Sequence, residues 1–354
     1  MKVIKFGGSS LASVESITIA KNIVEADSGR SFVVVSAPGK CKEFPHKVTD
    51  LLIEAYAELQ INETSESLGR VLERFRELSV GLGVDIEKEI QRTHDDIVVN
   101  QNNYDFVISR GEYLMAVLFS GVLGFKFVDA ANYIVINKNG KYHEKATSAK
   151  FQRCVAKSDK IVMGGFYGSS VDGGVKCFTR GGSDYSGAIC AVCLRADVYE
   201  NFTDTYGVQT ANPSLIKNTK SIHELDFGAM RRLSVAGASV IYPDCLPLLK
   251  RHAVPLKVHN TFDYLGGYTR IGCETVNSKY FCITYKFEQN INKDMVEVFC
   301  LFNKMTIGIG DLRKLLVGTE VYLVGFGKKD FTLISPGSNL SVVINMLHDY
   351  FIKF

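Results

Sequence analysis

Lys5 stands in "KFGGSS" (5–10), where a run of apolar residues gives way to two glycines and two serines. Backbone amides at a helix start, with an ammonium beside them, make a place for an anion. The spacing is not GxxxxGK[ST], which excludes a P-loop. Three more glycine-rich joints follow: "SAPGK" (36–40), "MGGFYGSS" (163–170) and "TRGGSD" (179–184). One Gly-Gly pair is more often a tight turn than a site. Four joints, two with a cation directly beside the glycines, point to a shared phosphate pocket.

"TRGGSDYSGA" (179–188) is the most informative stretch. Arg180 can hold a carboxylate through two parallel hydrogen bonds. Gly181 and Gly182 let amides approach an anion, and Ser183 or Asp184 can cap the helix that follows. The plain reading of Asp184 is that cap. The functional one pairs it with Lys5, because an aspartate facing a polyphosphate needs a cationic partner. "SRGEYL" (109–114) puts Arg110 and Glu112 at the start of an apolar helix, either as a solvated end or with Glu112 facing an ammonium group. Thr203 and Asp204 in "FTDTYG" (202–207) end a strand, beside a nucleotide or in a simple Asp/Gly turn.

The elements that position these residues follow from periodicity. "SFVVVS" (31–36) reads as a buried strand, and "KVTDLLIEAYAEL", "ESLGRVLERFRELSVGLG" and "DIEKEIQRTHDDIVV" as helices, making residues 47–125 largely helical. Strands are expected at "FKFVDA", "YIVIN", "KIVMGGFYG", "VKCFTRGG", "DVYENFTD" and "VPLKVHN". "KNGK" is a turn between "YIVIN" and "YHEKA". Helices are expected at "SDYSGAICAVCLRA" and around "SIHELDFGAMRRLSV". This alternation predicts an α/β domain with a mostly parallel sheet covered on both faces. From about residue 278 the pattern becomes that of a small α+β unit: four strands, "KYFCITYKF", "MVEVFCLF", "EVYLVGF" and "DFTLISP", with helices at "DLRKLL" and "LSVVINMLHDYF".

Composition narrows the classes. A net charge of +3 from 41 basic and 38 acidic residues, well mixed, is not a nucleic-acid footprint. Nine scattered cysteines read as free thiols in a reducing compartment. Cys190 and Cys193 form a CxxC inside an apolar helical pattern, with no second ligand pair to suggest a metal site. The first strand begins almost at Met1, leaving no signal peptide, and "YLMAVLFSGVLGF" (113–125) is too short for a bilayer. A cytoplasmic protein with no membrane partner is expected.

The order of "KFGGSS", "VVVSAPGK…KVTDLL", "SRGEYL", "GFYGS", "RGGSDYSGA", "FTDTYG" and "GASVIYP" resembles the aspartokinases of the amino acid kinase superfamily, over about residues 1–277. The resemblance implies a three-layer amino acid kinase domain (1–277, with the helical insert at about 47–125) and a shortened ACT-like regulatory or dimerisation domain (278–354). It also implies a homodimer. The implied reaction moves the γ-phosphoryl group of ATP, as the Mg²⁺ complex, to the β-carboxylate of L-aspartate. That step leads toward diaminopimelate and lysine, threonine and methionine. By similarity Lys5 neutralises the transferring group, Asp184 positions Lys5, and Gly7, Gly8 and Ser9 cradle phosphate oxygens. Thr49 and Ser183 contact substrate carboxylates, Arg180 the α-carboxylate and Glu112 the α-amino group. Thr203, Asp204 and Gly207 lie along the nucleotide.

An aspartate side chain, ordinarily near pKa 3.9, is already ionised at neutral pH, so no general base is required. Cations, amides and Mg²⁺ that spread the charge of the transferred group suffice. Two differences stand out. Asn212, Pro213 and Ser214 occupy a place where the family commonly reads D-P-R, which removes a charge-assisted contact of roughly 1.5–3 kcal/mol. Ser239 and Tyr242 replace a frequent lysine and the usual histidine. Two rival readings stay open: a kinase for another small carboxylate, and a catalytically silent regulatory subunit.

Overall fold

The computed structural model describes residues 1–156, 159–179, 181–272, 276–287, 294–305 and 307–353. Strands β1 (Lys2–Phe6) and β2 (Arg30–Val35) are apolar on both faces. Phe32 and Val34 of β2 enter one core with Ile189 and Leu249, while Val33 and Val35 enter the other with Ile17 and Leu51. A strand buried on both sides has to lie inside a covered sheet. Between them α1 (Val14–Glu25) opens on a capping box in which the Ser13 and Ser16 side chains each take the other's backbone N–H.

The helical insert contains α2 (Val48–Leu59), α3 (Glu66–Leu82), α4 (Glu87–Val99) and α5 (Tyr104–Leu123). Ser65 and Asn103 cap α3 and α5, and Gly83 and Gly124 end them in left-handed geometry, with φ of 68° and 65°. The Asn103 cap corrects an expectation: α5 starts well before "SRGEYL", so Arg110 and Glu112 lie in mid-helix, each about 5% exposed. With 20 residues, α5 is also long and apolar enough, by length and composition, to cross a bilayer. It serves instead as a core helix, with 72% of its apolar window buried inside the fold.

The chain continues through β3 (Lys126–Val128), β4 (Val135–Ile136), α6 (Glu144–Cys154), β5 (Ile161–Gly164), β6 (Tyr167–Ser170) and β7 (Val175–Cys177). After the "KNGK" turn, the His143 ring accepts the Ala146 N–H and starts α6. "KIVMGGFYG" is broken at Phe166, whose φ of 75° turns the chain from β5 into β6. Next come α7 (Gly182–Cys193), β8 (Val198–Thr203), β9 (Glu224–Leu225), α8 (Phe227–Val235), α9 (Cys245–Arg251), β10 (Leu256–Asn260) and β11 (Tyr268–Ile271). Here "SIHELDF" departs from the expected helix. Glu224 and Leu225 pair with β11, and the Asp226 side chain caps α8 only afterwards.

Eight of these strands form one sheet in the order β3-β5-β2-β1-β8-β10-β11-β9, parallel except for β10 against β11. Helices α1 to α5 cover one face and α7 to α9 the other, giving the α/β three-layer arrangement. Strands β4, β6 and β7 make a small sheet beside it.

A four-stranded antiparallel sheet follows in the order β12-β13-β15-β14, from β12 (Tyr280–Phe287), β13 (Met295–Asn303), β14 (Tyr322–Phe326) and β15 (Asp330–Pro336). Phe281 and Ile283 of β12 face α10 (Ile309–Leu315) and α11 (Leu340–Phe351), whereas Tyr280 and Cys282 enter the core of the large sheet. Alternation along one strand thus joins the two sheets. Cys41, Cys177, Cys190, Cys193, Cys245, Cys282 and Cys300 are unbridged, and all but Cys41 and Cys193 are buried.

Candidate active site

The parallel strands finish together. Phe6 is level with Val35 and Phe202, Val35 with Gly164, and Thr203 with Asn260. In an open α/β sheet, ligands gather beyond such aligned carboxyl ends. Lys5 lies within β1, level with Asn201 of β8, so both side chains share a face. Its Nζ is 2.7 Å from Asp184 Oδ1, and the lysine is only 6% exposed. Asn201 Nδ2 donates to the same oxygen at 3.2 Å, and the Tyr242 N–H donates to Asp184 Oδ2 at 3.2 Å. The Tyr199 hydroxyl donates to the Asp184 carbonyl at 3.1 Å. Gly187 permits this docking of α7, since a Cβ there would lie 2.4 Å from the Tyr199 hydroxyl. Asp184 is not a helix cap: α7 is capped by Gly181 at φ 82°, without a side-chain bond.

The glycine joints pack on one another. The Gly39 N–H donates to the Gly8 carbonyl at 2.8 Å, and a Cβ on Gly39 would stand 2.8 Å from the Gly8 carbonyl carbon. A Cβ on Gly165 would stand 2.4 Å from Ser183 Cβ, and one on Gly164 would stand 2.9 Å from the Glu112 carbonyl oxygen. One expected donor is already used: the Gly7 N–H bonds the Phe202 carbonyl at 3.0 Å, which fixes the joint to β8 and takes that amide from any anion. Gly8 and Ser9 instead sit at the start of the 3-10 turn Ser9–Leu11, where a helical turn leaves donors over.

Glu112 also lies at these joints, its backbone carbonyl against Gly164. Its Oε2 is buried and has no hydrogen-bond partner among the described residues. Burial pushes its carboxyl up to about 8, against the backbone hydrogen bond from Ala37 and the charge of Arg110. A buried carboxylate with one vacant oxygen is suited to an ammonium group. Arg110 serves the core instead, with its guanidinium over the rings of Phe106, Tyr113 and Tyr167. Thr49 lies in the first turn of α2, beside Val48, whose side chain packs on Gly111. Ser183 bonds Ser36 through its hydroxyl. Arg180 lies outside the described residues.

A cavity of about 280 Å³ takes Thr205 and Gly207 from the loop after β8, Gly237 to Val240 from the loop after α8, and Thr284 and Tyr285 from β12. A neighbouring groove shares Gly237, Ala238 and Ser239 with it and reaches Asp184 and Tyr242. Gly207 turns the chain at φ 72°, close against Thr269. Thr203 and Asp204 bond each other at the strand end, at 3.2 Å, with Asp204 exposed. Among the described residues, no group of three or more His, Cys, Asp or Glu could hold a metal.

Asn201, Ser36 and Tyr285 were not singled out from the sequence, and Tyr242 stood out only as the replacement for a usual histidine. Asn201 carried a signal, a polar residue inside the buried strand "YENFT"; a backbone donor such as Tyr242 N–H leaves none.

The Amino acid kinase family model matches residues 1–260. Over 282 residues the chain is 38% identical to Aspartokinase 3 of Bacillus subtilis (strain 168), covering 74% of this chain and 61% of that protein. The chain thus spans less than two thirds of that relative's length. Aspartate kinase of Clostridium acetobutylicum shares the fold over 100% of both chains, with a TM-score of 0.85 at 23% identity. Aspartokinase III of E. coli, solved with aspartate and ADP in the R-state, shares it over 99% of this chain and 100% of that one, with a TM-score of 0.83 at 20% identity. With its family match running from β1 to the end of β10, the chain belongs to the amino acid kinase family.

Proposed function

We propose that the chain is an aspartate kinase, transferring the ATP γ-phosphoryl group to the β-carboxylate of L-aspartate. The products are 4-phospho-L-aspartate and ADP. The observation that carries this reading is the Lys5–Asp184 pair, held at 2.7 Å beside the groove that adjoins the Gly207–Tyr285 cavity. The resemblance to aspartokinases and the relative named Aspartokinase 3 support the choice of acceptor. The E. coli neighbour with aspartate and ADP supports the pairing of acceptor and nucleotide.

In this reading the ATP phosphates run along Gly237–Ser239 to Lys5, with the Gly8 and Ser9 amides beside them. Aspartate lies on the Glu112 side. Its ammonium meets the vacant Glu112 oxygen, and its carboxylates meet Thr49 and Ser183, with Arg180 assigned to the α-carboxylate by resemblance. A β-carboxylate oxygen attacks the γ-phosphorus, the bond to the β,γ-bridging oxygen breaks, and ADP leaves with that electron pair. Lys5 offsets the charge on the transferring group, and Asp184 holds Lys5 in place. Asp184 is itself fixed by Asn201 and by the Tyr242 amide.

The donor set among the described residues does not form a metal cage. Mg²⁺ would enter with the nucleotide and would supply charge neutralisation at its phosphates. Release of ADP from MgATP, measured with and without aspartate, tests the reading. Wild-type chain should release ADP only with aspartate. Lys5→Ala should lose at least a hundredfold in kcat, on the order of one charge-stabilising contact in a dry site, while keeping its circular dichroism spectrum. Near-normal turnover by Lys5→Ala would remove Lys5 from the mechanism.

A further inference from the structure

The cavity and the groove beside it differ in chemistry. At one end the cavity shares the Gly237–Ser239 segment with the groove, which reaches Asp184, the carboxylate paired with Lys5. No charged side chain lines the cavity itself among the described residues; its lining includes Ala211, Pro213, Val240 and Tyr285. A polyphosphate belongs at the charged end. A flat, weakly polar heterocycle belongs in the uncharged cavity, where Tyr285 is the aromatic residue of the lining.

Tyr285 comes from β12, the strand of the C-terminal sheet nearest the site, and β12 is tied to the loop after β8. The Ile283 N–H donates to the Thr210 carbonyl at 2.8 Å, and Cys282 Sγ donates to the Gln209 carbonyl at 3.1 Å. Asn212 Nδ2 donates to the Tyr285 hydroxyl at 3.3 Å. Asn212 also accepts from the Ser214 N–H and hydroxyl, which folds 212–214 into a compact turn against the cavity. Gly237, at φ 108°, lies so close that a Cβ would stand 2.2 Å from the Tyr285 carbonyl oxygen.

We infer that Tyr285 of the C-terminal sheet is the base-side wall of the nucleotide site and fixes nucleotide affinity from outside the kinase core. The inference rests on the nucleotide reading above. It makes the four-stranded sheet a structural part of the active site. By linkage, any ligand that shifts β12 changes nucleotide affinity, and nucleotide changes the affinity for that ligand by the same factor.

MgADP binding by wild type, Tyr285→Ala and Tyr285→Phe, with hydrogen exchange of residues 280–287 in the wild type, tests this. Tyr285→Ala should bind MgADP roughly tenfold more weakly and raise the KM for ATP to match, since losing an aromatic face costs about that factor. Its KM for aspartate should not change. Tyr285→Phe, which keeps the ring, should stay close to wild type. MgADP, but not aspartate, should slow exchange at 280–287. Wild-type affinity in Tyr285→Ala, or unchanged exchange at 280–287, would overturn the inference; the exchange result decides alone if the alanine variant does not fold. A wild type that shows the Tyr285 dependence yet makes no aspartyl phosphate contradicts the proposed reaction and leaves this inference standing. An active wild type whose Tyr285→Ala variant binds nucleotide normally does the reverse.

Discussion

Lys5 lies against Gly7 and Glu112 against Gly164, and the protein treats their charges differently. Lys5 is held against a carboxylate that has two other donors, Asn201 and the Tyr242 amide. Glu112 is left with a vacant buried oxygen, and burial raises its carboxyl to about 8 from a usual 4.5. The sign follows directly. The folded state holds this proton more tightly than the unfolded chain, so stability present below pH 4.5 is lost as pH rises from 4.5 to 8. Thermal melts of the ligand-free protein should show wild type losing ground to Glu112→Gln across that window. A difference between them that does not vary with pH would contradict a neutral Glu112 in the empty site. Lys5 and Asp184 were legible as a pair because a carboxylate at a phosphate joint needs a cation. The depth of Glu112 was not, because six residues of helix precede "RGE" and their cap, Asn103, resembles an ordinary loop residue.

Among the elements, the tightest constraint is backbone packed on backbone. Gly8 and Gly39 leave no room for a methyl group, and neither neighbour is a side chain that can rotate away. Gly39→Ala should therefore cost about 1–3 kcal/mol of stability by overpacking, read in denaturant unfolding. It should also lower kcat, because the Gly8–Ser9 turn must shift. Full stability in that variant would mean the two joints are not in contact. The long periodic elements could be read from sequence: β2 from an unbroken apolar run, and α2 to α4 from their apolar stripes. Others could not. Helix α6 has a weak apolar face and a histidine cap, β9 makes only two ladder pairs, and the break at Phe166 needs a positive φ that no glycine advertises.

For the whole molecule, the decisive feature is that β12 feeds two cores. Tyr280 and Cys282 pack with the large sheet, Phe281 and Ile283 with α10 and α11, and Ala211 and Ile216 of the kinase part enter the C-terminal core. Regions that share buried strands unfold together. Unfolding followed by tyrosine fluorescence, in a chain without tryptophan, should give one transition coincident with circular dichroism. Two separated transitions would show that the sheets are independent. The change of texture near residue 278 was visible in the sequence; the alternate sharing of β12 was not, since both of its faces are apolar.

The most direct measurement of the central claim is to trap acyl phosphate as the hydroxamate, with MgATP and a panel containing aspartate, glutamate, N-acetylglutamate and succinate. An ammonium-reading Glu112 and a phosphate-reading Lys5 predict hydroxamate from aspartate, the proposed acceptor, and none from N-acetylglutamate or succinate, which lack the ammonium. No hydroxamate from any acceptor, by a protein that binds both ATP and aspartate, would contradict the account.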